Sequence, residues 1–350
     1  MLKGVWQSLK VVRVRSAEMP KIAAAQEPVA IYSAGFGSAL LQNHPEAELL
    51  TISGNGLLMA LPVEKRFAHD RALATDVTPS VLPPVSKTHT HEAVLAFLNG
   101  LKRPFRFTSL PEESLFFAQL KTHAAQLAFV RRWQRAALRV EGSFETWFER
   151  NFDAKRRKEF KRQEKRLGEQ GALELVREFC VDDYLALEAK GWKGRAGTAL
   201  QGHDKAAAQF RLICANLAAS GQLRFWTLKL HGKAIASLVG IVDGAQAWIF
   251  KIAYDEDYAK FSPGVLVVLE ATRDFFADGT IKLVDSCAIP GHPMIERIWK
   301  DRIAFADVVV APQNVLPAMF ALTHFALRAT SQLRLTLKPL YLKLRGRRLS

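Results

Sequence analysis

The stretch Ser262-Pro263-Gly264 has the clearest chemical potential in this chain. Serine followed by proline suits a helix start, with serine as the N-cap and proline at the first helical position. The free N–H groups of such a start and the helix dipole make an anion site of phosphate size. The plain alternative is an ordinary capped helix. Lys251 stands inside an apolar run that also holds Trp248 and Tyr254. In a regular strand Lys251 shares a face with Ala247, Ile249 and Ala253, while Trp248, Phe250, Ile252 and Tyr254 take the other. A buried unpaired ammonium is costly, so Lys251 must reach solvent, a carboxylate or a ligand anion. Lys251 and Tyr254 act on one face only if a bulge intervenes. Asp285 closes the next apolar run and is a candidate general base, or else a helix cap or salt-bridge partner. Cys287, His292 and Asp285 contain the elements of a nucleophilic triad, but they lie too close in sequence to be persuasive. The nine histidines show no ligand spacing, so no metal is expected.

These side chains need a scaffold, and the pattern of 245–285 supplies one. Residues 245–254 alternate and are rich in aromatic and branched types, as in a strand. Residues 255–261 are polar. Val265, Val268, Leu269, Thr272 and Phe276 then recur at helical spacing, Gly279 ends that helix, and 281–284 form a second short strand. Such a unit is normally a right-handed crossover between parallel strands. Its ligand position lies outside the carboxyl ends of the strands, facing the helix start.

Three segments also carry a family resemblance: 251–270, 284–302 and 187–200, the last containing Trp192-Lys193-Gly194-Arg195. Together they resemble the acyltransferase domain of the GNAT superfamily in BioF2-like and CelD-like bacterial proteins, relatives of the FemABX peptidyltransferases. The resemblance covers roughly 142–310. It implies an α+β fold, a mixed sheet with helices on both faces, in two GNAT-like halves. It implies acetyl-CoA or another acyl-CoA as co-substrate, held by Ser262, Pro263, Gly264 and Trp248. Asp285, Lys251 and Tyr254 become the catalytic candidates, and Trp192, Lys193 and Arg195 the residues lining the acceptor cleft. Glu188 would pair with Lys193. The glycine-rich phosphate loop of typical GNAT enzymes is absent, and FemABX relatives use charged tRNA instead. The implied reaction is N- or O-acyl transfer to a small-molecule, sugar or lipid-linked acceptor, in envelope or polysaccharide synthesis by analogy. Aminoacyl transfer from tRNA and a non-catalytic membrane- or nucleic-acid-binding adaptor remain as alternatives.

The rest of the chain fits this frame. Its 350 residues, 49% hydrophobic, suffice for two packed domains. Boundaries are expected at 1–141, 142–311 and 312–350. Leucine-rich runs around Ser53-Gly54-Asn55-Gly56 predict a hairpin, and 91–101 and 112–127 predict helices. Periodicity leaves 130–138 undecided between strand and helix. Ser143 is expected to cap one long helix running through the basic stretch 155–166. A net charge of +15 points to an anionic partner. Three cysteines without metal spacing argue for a reducing compartment, and a cytoplasmic location follows. No apolar run is long enough to span a bilayer. The tail 328–350 has arginine and lysine but neither aspartate nor glutamate, which suits peripheral contact with a membrane better than nucleic acid.

Overall fold

The computed structural model describes residues 9–22, 33–75, 77–197 and 199–346, with the side chains of 192 and 338–346 left aside. The N-terminal segments 1–8 and 23–32 lie outside the described residues. The chain divides into two compact units, 1–134 with 303–350, and 135–302.

The first unit contains β1 (Lys10–Val14), α1 (Ala34–Asn43), β2 (Glu48–Ser53), β3 (Leu57–Lys65), β4 (Asp70–Ala72), α2 (Thr90–Gly100), β5 (Phe105–Pro111), α3 (Leu115–His123) and the start of β6 (Gln126–Arg139). The expected hairpin is β2–β3, antiparallel from Glu48↔Val63 to Ser53↔Leu57. β4 and β5 are parallel, and α2 lies in the connection between them. Phe97 of α2 meets Phe105 and Phe107 of β5 edge-on or tilted, at 5.1 and 5.7 Å between ring centres, so the crossover helix is fixed to its sheet by aromatic packing.

The second unit contains α4 (Phe144–Asn151), α5 (Ala154–Gly168), β7 (Leu173–Val176), α6 (Val181–Lys190), α7 (Trp192–Arg195), α8 (Asp204–Ala219), β8 (Leu223–Leu230), β9 (Lys233–Asp243), β10 (Gln246–Tyr254), α9 (Pro263–Asp278), β11 (Leu283–Asp285) and α10 (Ile295–Ile298). β12 (Asp301–Ala311) and α11 (Pro317–Gly346) complete the chain in the first unit. The sheet of the second unit runs β6-β11-β10-β9-β8-β7. Its neighbours are antiparallel except β10 and β11. Among the described residues, each unit therefore holds a parallel pair closed by a crossover helix within a mostly antiparallel sheet. This is the α+β architecture expected, in two similar halves.

The expected long helix after Ser143 is instead two. Ser143 does cap α4, accepting from the Thr146 amide at 3.1 Å. The chain then turns extended at Phe152, and Asp153 caps α5 through Arg156 N–H at 2.7 Å. A second cap of this strength restarts the helix in a new direction. That turn lets Trp147, Phe152 and Phe160 join one buried cluster with Phe144 and α9. The undecided stretch 130–138 lies within β6.

Candidate functional site

β10 and β11 pair in parallel over three positions only, from Gln246↔Leu283 to Trp248↔Asp285. β11 then ends, while β10 continues to Tyr254. The two strands thus part at the carboxyl end of the pair, the position at which open α/β sheets take ligands. A cavity of about 620 Å³ fills the gap. Its walls are β10 from Ile249 to Tyr254, the first turns of α9, the segment after Asp285, and the end of α6 with Lys193.

The register of β10 against β9 shifts between Ile249 and Lys251, leaving Phe250 as the extra residue. A bulge of this kind reverses which side successive residues take. Ala247 and Ile249 belong to the buried cluster before it, and Ile252 and Tyr254 pack against the same cluster after it. The regular-strand expectation, which set Ile252 and Tyr254 opposite Ala247 and Ile249, is thereby corrected. The bulge precedes Lys251 rather than separating it from Tyr254, yet both residues line the cavity. Lys251 Nζ lies 5.7 Å from the centre of the Phe250 ring.

At the start of α9, Pro263 occupies the first turn as expected, but Ser262 caps by a different device. It is left-handed, at φ 52° and ψ 49°, and its side chain makes no capping bond. Its carbonyl accepts from the Val265 and Leu266 amides at 2.9 and 3.2 Å. With Pro263 lacking an N–H, Gly264 is left as the amide of this turn that a ligand anion can reach. A Cβ at Gly264 would stand 3.1 Å from Tyr254 Cδ1 and 3.4 Å from Met294 Sδ. A larger residue would need the Tyr254 ring to give by a few tenths of an ångström. Val265, Val268 and Ser262 line the cavity beside this turn. Trp248 is buried and lies outside the cavity lining.

Asp285 is engaged. Its Oδ1 accepts from Arg135 Nε at 2.6 Å and from the Cys287 amide at 2.9 Å, and its Oδ2 accepts from Arg135 Nη2. Both side chains are 2% exposed. Burial opposes the charge on Arg135, but Asp285 outweighs it and holds the guanidinium firmly protonated. Asp285 is thus placed as the partner of a buried arginine behind the cavity, not among its lining residues. Arg135 lies 150 positions away in a stretch with undecided periodicity, so spacing gave no signal; only its charge in an apolar run marks it.

The triad reading fails on the same geometry. Burial pushes the Cys287 thiol well up, away from thiolate. Burial also lowers His292 below its ordinary value, leaving it neutral at neutral pH, with Nδ1 accepting from the Met294 amide at 3.4 Å.

Lys193 donates to Glu188 Oε1 at 2.7 Å, as the sequence predicts. Glu188 also accepts from Tyr184 Oη at 3.0 Å and from the Leu200 amide at 2.9 Å. Burial raises its pKa, and these three donors more than reverse that, leaving a carboxylate below its ordinary value. Glu188 and Lys193 both line the cavity, opposite in charge and next to the β10 wall. Arg195 ion-pairs instead with Glu256 and is not among the lining residues. Trp192 begins α7; its side chain lies outside those described. Gly194 is required by contact, because a Cβ there would sit 1.7 Å from the Ala189 carbonyl oxygen. Among the described residues, His44, Glu46 and Glu64 of the first unit come close enough to share an ion. Glu64 is already held by Arg66 and Arg71, and the trio lies outside the second unit's cavity.

The comparisons with known proteins agree with this fold. Residues 154–291 match the model of the acetyltransferase (GNAT) domain. No curated protein matches the sequence. Among solved structures, the C-terminal domain (DUF2156) of a candidate lysylphosphatidylglycerol synthetase from Agrobacterium fabrum is similar at TM-score 0.52 and 12% identity, over 87% of this chain and 92% of that one. The L-PGS of Bacillus licheniformis is similar at TM-score 0.50 and 12% identity, over 87% and 98%. FemX is similar at TM-score 0.51 and 9% identity, over 74% and 87%. Identities this low speak for the fold alone. Fold and domain match together define the class: the chain has the GNAT fold and is a transferase. The family model runs from the start of α5 to residue 291 and so takes in the cavity walls of α6, β10 and α9, while His292 to Ile295 of the lining lie beyond it.

Proposed function

We propose that the second unit transfers an acyl group from an acyl-CoA, acetyl-CoA included, to an amine or hydroxyl acceptor. The observation that carries this reading is the parting of β10 from β11 beyond Trp248↔Asp285, which opens a cavity onto the start of α9. The diphosphate of the donor would lie over that start, at the Gly264 amide and the positive end of the helix. The thioester would reach between the strands to the bulged segment. The acceptor would enter past Lys193 and Glu188, an ammonium and a carboxylate that suit a polar group.

The acceptor's nitrogen or oxygen attacks the carbonyl carbon, the C–S bond breaks, and the acceptor's proton passes to water in the cavity. Lys251 is the cation offered to charge on the carbonyl oxygen; the Tyr254 hydroxyl supplies the proton taken up by the leaving thiolate, and the proton released by the acceptor returns through that water to Tyr254. No covalent enzyme intermediate is needed, since holding the two reactants together lowers much of the barrier. Asp285 acts through Arg135 and the Cys287 amide, fixing the cavity's far wall. The BioF2-like and CelD-like subtype, a location on the cytoplasmic side and a sugar- or lipid-linked acceptor complete the reading. The lysylphosphatidylglycerol synthetase likeness makes a lipid acceptor the one to assay first.

A second reading, aminoacyl transfer from charged tRNA, is favoured by one observation. The first turn of α9 offers few amides to a diphosphate, because Ser262 takes those of Val265 and Leu266. Calorimetric titration of the full chain with acetyl-CoA and, separately, with aminoacyl-tRNA decides between them. Saturable acetyl-CoA binding at one site supports the first reading; tRNA binding without it replaces that reading by the second.

A further inference from the structure

α11 (Pro317–Gly346) presents two unlike faces. Phe320, Thr323 and Leu327 are buried. Phe320 and Leu327 pack with Val130, Val309, Ala311 and Val315 of the first unit. His324 Nε2 reaches the Phe129 carbonyl at 3.0 Å, and Gln126 donates to the Val315 carbonyl at 2.9 Å. The helix is therefore docked along one side. On another side Met319, Leu322, Phe325, Leu333 and Leu337 are 42, 71, 72, 57 and 50% exposed. At about 100° per residue these five fall within an arc of about 120°, turned away from the docked face. Large apolar side chains lined up on an exposed helix mark an interaction surface, whereas scattered ones do not.

Charge selects the partner. From 312 to 350 the sequence has seven arginines and lysines and no aspartate or glutamate. A second copy of this helix would bring cations against cations with no acid to pair them. A bilayer with anionic lipid takes both parts, the apolar side chains into the headgroup–acyl boundary and the cations against the phosphates. No described helix is long and apolar enough to cross a membrane, which fits a helix lying along the surface.

We propose that the Met319–Leu322–Phe325–Leu333–Leu337 face of α11 docks the protein on anionic membrane surfaces. This goes beyond the acyl-transfer reading and does not depend on it. The test is co-sedimentation of the full chain with vesicles of phosphatidylcholine alone or with added phosphatidylglycerol. Leu322→Glu/Phe325→Glu is compared with wild type, both side chains being exposed, and circular dichroism and the melting temperature verify the fold. Wild type should partition at least tenfold more strongly onto the phosphatidylglycerol vesicles, lose that preference in high salt, and lose binding in the folded double variant. Equal binding of wild type and variant, or no preference for the anionic lipid, overturns the proposal. So does a wild-type dimer in light scattering that the double variant converts to monomer, because the face would then belong to a second copy of the chain.

Discussion

Single side chains around the cavity are held by identifiable partners, and their removal has calculable consequences. Glu188 satisfies Tyr184, Lys193 and the Leu200 amide at once. Glu188→Ala strands all three and is expected to cost about 2–4 kcal/mol of unfolding free energy, read from urea denaturation, with Glu188→Gln losing less. In the first unit, His69 is held down to about 4 by burial and by Arg106, Arg71 and Arg103. The unfolded chain binds a proton near pH 6.5 that the folded one refuses until about pH 4. Stability is therefore intact above pH 6.5 and falls as pH is lowered from there toward 4. A melting-temperature series across that range should flatten in His69→Gln; an unchanged slope would refute the assignment to His69. At this scale the sequence revealed Lys193 with Glu188 and the small residue at 264. It did not reveal Arg135, because the pair it forms joins residues 150 positions apart.

At the scale of elements, the unit β10–α9–β11 was legible because its ends are chemically marked. Pro263 opens α9, Gly279 closes it at φ 74°, and both strands alternate or run apolar. The bulge at Phe250 was not legible, since two-against-one pairing is decided by the neighbouring strand β9. The break between α4 and α5 was marked by Asp153, a cap that a continuous basic, helix-favouring stretch obscured. β6 and β11 are tied by the Arg135–Asp285 pair. Asp285→Ala leaves a buried guanidinium alone and should cost about 3–5 kcal/mol. The double change Arg135→Met/Asp285→Leu should recover most of that loss, and denaturant titration of the three proteins checks it. Had Asp285 been the general base, Asp285→Asn would abolish turnover in a protein of near-normal stability; the structure predicts lost stability first.

At the scale of the molecule, two units of similar design are interleaved in sequence, the second lying between the parts of the first. The family resemblance implied two halves, and the hairpin around Gly54 agreed with it, but no repeat was legible in the residues; the likeness lies in the parallel pair with its crossover helix that each unit holds. The return of 303–350 to the first unit depends on contacts such as Val309 with Phe320 and Leu327, which no local pattern encodes. The net charge of +15 adds a non-specific affinity for polyanions. Any tRNA binding must therefore be measured across a salt series, and a steep fall with salt alone does not count as specific recognition.

The cavity between β10 and β11 as the seat of an acyl-CoA is the central claim, and Val265→Glu tests it most directly. Val265 lines the cavity in the first turn of α9. Val265 is half-buried against the core of that unit, so circular dichroism verifies the fold of the variant; a carboxylate there suits the helix dipole and repels a diphosphate. Calorimetric titration of acetyl-CoA at a temperature where both proteins are folded should show saturable binding to wild type and an affinity at least tenfold weaker in Val265→Glu. Equal affinity in the two proteins, or no binding to wild type, would contradict the claim.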